Sequence, residues 1–139
     1  MELQERSVRA LKGVHPDLVR VILLAARNTP DDHHEYLWIV TEGSRSLERQ
    51  TQLVKDGKSR TMNSRHLTGD AVDLAIWADR DEDKVVDVDE LSWKLPDYKA
   101  LAEKVKAAAK TLNIPIVWGG DWKNFKDGPH FELDRRFYP

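Results

Sequence analysis

One stretch of seven residues, Ala71-Val72-Asp73-Leu74-Ala75-Ile76-Trp77, constrains the fold more than any other. It is apolar and β-rich apart from a single carboxylate, and it reads as a strand. A period of two puts Val72, Leu74 and Ile76 on one face, and Ala71, Asp73, Ala75 and Trp77 on the other. One face is wholly apolar. The other sets Asp73 between two alanines, with open space around it.

The remaining elements follow from periodicity and punctuation. Asp17 to Arg27 predicts a helix, with Leu18, Ile22 and Ala25 at helical spacing, Pro16 at its start and Asn28-Thr29-Pro30 at its end. Tyr36 to Thr41 predicts a strand, broken by Gly43. Ser46 predicts an N-cap for a helix carrying Leu47, Gln50 and Val54, closed by Asp56-Gly57. Residues 58–69 read as a polar loop, and 78–96 as a charged connection. Asp97 to Leu112 predicts a helix with Leu101, Val105, Ala108 and Leu112 in one stripe. Ile114 to Trp118 and Pro129 to Leu133 predict short strands. In the second, His130 and Glu132 share a face opposite Phe131 and Leu133. The sum is an α+β fold, with helices packed on a mainly antiparallel sheet. A length of 139 residues suits one domain spanning 1–139, with little room for a second.

Composition narrows the chemistry. There is no cysteine, so a disulfide framework, a thiolate nucleophile and a Cys-ligated metal are excluded. Any metal must be held by histidine and carboxylate, and the histidines are 15, 33, 34, 66 and 130. Twenty-two basic against 24 acidic residues give a formal charge of −2, which argues against a general nucleic-acid binder. The N-terminus lacks the apolar core of a signal peptide, and Val21 to Ala26 is far shorter than the ~20 residues of a membrane span. The expectation is synthesis in a cytoplasm, without membrane insertion.

Two segments carry the chemistry: Ser64-Arg65-His66-Leu67-Thr68-Gly69-Asp70-Ala71-Val72-Asp73, and Asp127-Gly128-Pro129-His130-Phe131-Glu132. Two histidines and one aspartate make the ligand set of a catalytic zinc, whose fourth position stays open to water. Asp127, three residues before His130, suits a general base. Spacing alone leaves open that these are ordinary polar residues.

The whole pattern is more specific. Ser-x-His-x-x-x-Gly-x-Ala-x-Asp, followed by Asp-Gly-Pro-His-Phe-Glu, resembles the zinc peptidases of the D-Ala-D-Ala carboxypeptidase type. That family includes VanY and VanX proteins and single-domain phage L-alanyl-D-glutamate endopeptidases. The resemblance covers roughly residues 10–133, and extends to Gly43-Ser44-Arg45 ahead of Gln50 and to the Trp118-Gly119-Gly120-Asp121-Trp122 turn. It implies the fold of the hedgehog and D-Ala-D-Ala peptidase domains. It also implies one Zn²⁺, with His66, Asp73 and His130 as ligands and Asp127 as base. Arg45 matches an arginine that lies beside the scissile carbonyl and stabilises the oxyanion, and Ser64 lies where the family contacts substrate. The implied activity is that of a phage endolysin cutting the L-Ala–D-Glu bond of the peptidoglycan stem with metal-activated water. Such an enzyme is made in the host cytoplasm, reaches the wall once the membrane is permeabilised, and works as a monomer. The alternatives are a D-Ala-D-Ala carboxypeptidase or dipeptidase, and a non-catalytic zinc module of hedgehog-like fold.

Further residues have two readings each. Gln50 and Trp118 are candidate substrate contacts, or a polar helix residue and a core tryptophan. Trp122, beside the same turn, is a second candidate for the pocket. Glu132 either supports His130 or holds a substrate amine. His33-His34 reads as a solvated loop. Asp79, Asp81, Asp83 and Glu90 fall at positions 1, 3, 5 and 12 of a calcium loop, but Lys84 stands where that loop needs glycine. An acidic solvated loop is the expectation there, with Ca²⁺ as the alternative.

Overall fold

The computed structural model describes residues 1–30, 36–78, 83 and 85–139. His33 and His34, and Asp79 and Asp81 of the acidic loop, lie outside them.

Five strands, β1 (Leu37–Glu42), β2 (Ala71–Trp77), β3 (Leu91–Ser92), β4 (Ile116–Trp118) and β5 (His130–Leu133), form one antiparallel sheet. Its order is β1-β2-β5-β4, with β3 pairing the end of β2. Helices α2 (Pro16–Arg27) and α4 (Leu95–Leu112) cover one face. Leu18, Val21, Ile22 and Ala25 of α2 and Leu101, Val105 and Ala108 of α4 pack there against Val40, Val72, Leu74, Phe131 and Leu133. All are at least nine-tenths buried. This is the apolar face expected of residues 71–77. The other face carries a small cluster of Leu37, Ile39, Ala75 and Trp77. It leaves Asp73, His130 and Glu132 on the same side by strand alternation.

Local signals explain most boundaries. His15 caps α2 by accepting the Asp17 N–H at 3.0 Å. Ser46 caps α3 (Leu47–Lys55) by accepting the Arg49 N–H at 3.0 Å. Helix α4 begins at Leu95 rather than Asp97, because Pro96 fits the first turn of a helix. Helix α1 (Glu5–Ala10) was not expected from the pattern. Its Ser7 is fully buried, and its hydroxyl accepts the Val40 N–H at 3.0 Å, capping an edge strand that would otherwise expose it.

Strand β1 also departs from simple alternation. Val40 faces Leu74, but Glu42 faces Asp73, so the register shifts by one at Thr41. This is a β-bulge. Among the described residues, no helix is long and apolar enough to cross a membrane.

Candidate metal centre

Asp73 and His130 are direct partners across β2 and β5. Their side chains therefore leave the sheet on one side, a few ångströms apart. His66 arrives from a 3₁₀ turn, Arg65–Thr68, inside the segment expected to be loop. Ser64 caps that turn, accepting the His66 N–H at 3.2 Å, and Gly69 ends it in the left-handed region. The donor atoms of His66, Asp73 and His130 all lie within 4.8 Å of one another.

Each imidazole is locked in one orientation by its outer nitrogen. His66 Nδ1 lies 2.8 Å from the Gly43 carbonyl, which can only accept. Nδ1 therefore donates there, and Nε2 is the nitrogen that faces the centre, 3.4 Å from Asp73 Oδ2. His130 uses the opposite nitrogens. Its Nε2 meets Glu132 Oε1 at 3.0 Å, and its Nδ1 lies 3.3 Å from Asp73 Oδ1. Outer partners of this kind, a backbone carbonyl and a carboxylate, are those of metal-ligating histidines. Asp73 Oδ1 is buried without a hydrogen-bond partner, an acceptor that a cation would satisfy. The residues therefore fit a divalent metal with nitrogen and oxygen ligands.

The electrostatics agree. Burial pushes the Asp73 carboxyl up, but the His130 and then His66 imidazoles override it and hold it well below the usual carboxylate range. Burial pushes the His130 imidazole down, while Asp73 and then Glu132 raise it to about 9. Without a metal, a proton on His130 supplies the positive charge the pocket needs. Glu132 is itself lowered, since His130 and Arg135 outweigh its burial.

Asp127 sits at the end of the 119–127 turn. Its N–H donates to the Gly119 carbonyl at 3.1 Å, and its carbonyl accepts from His130 N at 3.2 Å. A Cβ at position 119 would strike the Asp127 carbonyl oxygen and come within 3.1 Å of the Cβ atoms of Asp127 and His130. Glycine there lets Asp127 and His130 share one tight turn. Burial raises the Asp127 carboxyl above its ordinary value, and the Asp73 charge adds to it, against His130, His66 and Arg45.

Arg45 has a side chain only 7% exposed and lies 3.7 Å from Asp73 Oδ2. Its Nε and Nη2 donate to the two oxygens of Glu42 at 2.8 and 2.7 Å, and Nη1 donates to Gln50 Oε1 at 2.7 Å. Ser64 Oγ stands 3.5 Å from the same Nη1.

Gln50 and Trp118 take the second of their two readings. Gln50 is fully buried, and its Nε2 donates to Ser59 Oγ and the Thr61 carbonyl, so both ends of its amide are used inside the protein. Its place is behind Arg45. Trp118 is 5% exposed, and its Nε1 donates to the Gly128 carbonyl at 2.7 Å, bracing the turn that carries Asp127. Trp122 instead lies against the site, its ring 5.1 Å from that of His130. Glu132 supports His130, one of its two readings. Glu42 was missed, although its place three residues before Arg45 was a usable signal. In the acidic loop, oxygens of Asp83, Asp87 and Glu90 gather within 4.8 Å, so Asp87 joins where the sequence pattern had not placed it.

Known proteins resemble the chain throughout its length. The L-alanyl-D-glutamate peptidase of Listeria phage A118 is 34% identical over 72% of this chain. The peptidoglycan L-alanyl-D-glutamate endopeptidase CwlK of Bacillus subtilis is 35% identical over 68% of it. The chain spans 31% and 59% of the lengths of these two relatives. The crystal structure of the Serratia marcescens L-Ala D-Glu endopeptidase ChiX superposes with a TM-score of 0.81 at 42% identity, covering 100% of this chain and 94% of that one. With residues 1–138 matching the phage L-alanyl-D-glutamate peptidase family, the chain belongs to that family.

Proposed function

We propose that this chain is a zinc-dependent peptidoglycan hydrolase that cleaves the L-Ala–D-Glu bond of the stem peptide. The observation that carries this is the trio His66, Asp73 and His130, with the inner nitrogen of each imidazole turned toward the Asp73 carboxylate. His66 Nε2, the Asp73 carboxylate and His130 Nδ1 would hold the metal. Zinc in such a site supplies a Lewis acid that polarises a carbonyl and acidifies water.

The chain's own residues do the rest. Asp127 takes a proton from the attacking water at its carboxylate and passes it to the leaving amine. Its raised pKa brings it nearer to the working pH, which suits both halves of that transfer. Arg45 presents a fixed guanidinium where the carbonyl oxygen becomes negative, a charge that develops only in the transition state. Ser64, half-buried beside Arg45, is the polar group left to meet the substrate backbone. The near-neutral net charge means that affinity for the anionic wall comes from the site itself. The place of action is the cell wall.

Mass spectrometry of digested muropeptides tests the bond. A new N-terminal D-Glu is expected. Released D-Ala would make the chain a carboxypeptidase, and intact muropeptides with zinc bound would make it a non-catalytic zinc module.

A further inference from the structure

Glu42 has no part in the reading above, yet it is the strongest partner of Arg45. Two parallel bonds at 2.7 and 2.8 Å form the planar fork in which a carboxylate grips a guanidinium best. The bulge at Thr41 makes this possible. Trp38 and Val40 belong to the helix-covered core, and strict alternation would send Glu42 to the same side. The extra residue reverses the parity and sets Glu42 opposite Asp73, on the face of the metal centre.

The grip has a competitor. Asp73 Oδ2 is only 3.7 Å from Arg45 Nη2. A guanidinium released from Glu42 would close onto that carboxylate, pair with it and take up a ligand oxygen. Gln50 cannot prevent this alone, because it restrains only Nη1 and carries no charge. We infer that Glu42 is the positioning residue of the site: it holds Arg45 at the rim and keeps it off Asp73. The inference rests on the zinc reading above.

The test is a double-mutant cycle of Glu42→Gln and Arg45→Ala. Zinc affinity is measured by chelator competition on metal-stripped protein, and kcat and KM on peptidoglycan fragments. In the Arg45-containing protein, Glu42→Gln should weaken zinc binding about tenfold, the lower range for loss of an outer partner. It should also lower kcat about ten- to a hundredfold with KM little changed. In the Arg45→Ala background, Glu42→Gln should change neither quantity by more than about twofold. A variant that merely folds badly would not be rescued by removing a second side chain. Undiminished losses in the Arg45→Ala background, or wild-type zinc affinity in Glu42→Gln, would overturn the inference. Wild-type protein that binds no zinc would overturn the metal reading itself.

Discussion

The two faces of the sheet are built from alternate residues of the same strands, and they are specified in different ways. Val72, Leu74 and Phe131 meet α2 and α4 through non-directional burial, so many apolar residues of similar volume would serve. Asp73, His130 and Glu132 lie one residue away on each strand. Each is set by a named partner at a defined distance. The helix face holds the fold, and the opposite face holds geometry.

That contrast can be broken experimentally, starting with the largest effect. Asp127→Ala should lower kcat by about 10²–10⁴-fold while the melting temperature stays within a few degrees. Steady-state kinetics beside thermal melts would show it, and lysis at the wild-type rate would remove Asp127 from the mechanism. Phe131→Ala, at a fully buried position, should do the reverse. It should cost about 3–5 kcal/mol in denaturant titration, with kcat per folded molecule little changed. A comparable loss of both quantities would mean that the faces are not separable.

A smaller effect is expected from Glu132→Gln. Zinc affinity should fall about ten- to a hundredfold, read by chelator competition, because the carboxylate on His130 Nε2 is lost. The smallest effect is on pH dependence. His130 in the metal-free protein is raised to about 9 from an ordinary 6.5, so its stabilisation is full below 6.5 and is lost as pH rises through about 9. Asp73 is depressed, so its contribution is present above its ordinary 3.8 and lost in acid. Metal-stripped protein should therefore melt highest between about pH 4 and 6.5. Zinc-loaded protein should not show the decline toward pH 9, because the metal replaces the proton.

Legibility in the sequence followed the same division. Strand β2 and the ends of α2 and α3 were readable, since periodicity and capping residues act locally. The trio of ligand candidates was readable only from the resemblance of the whole motif pattern, since spacing alone left it open. Helix α1 was not, because its six residues carry no apolar stripe and Ser7 is used across the fold by Val40. For Gln50 and Trp118 the sequence leaves two readings, substrate contact or internal residue, and burial favours the second. Sequence shows proximity to a motif, not whether a side chain points into the cleft or behind it. The bulge at Thr41 was invisible for a related reason. It changes parity without changing composition.

The pairing of Asp73 with His130 across β2 and β5 has a kinetic consequence. His66 and Asp73 are near neighbours in the chain, and they can approach as soon as the local turn forms. His130 joins only when a distant segment returns to the edge of β2, a non-local contact that forms late. A chain halted before that step presents two of the three donors and holds metal weakly. Tight metal uptake would thus report that β5 has docked on β2.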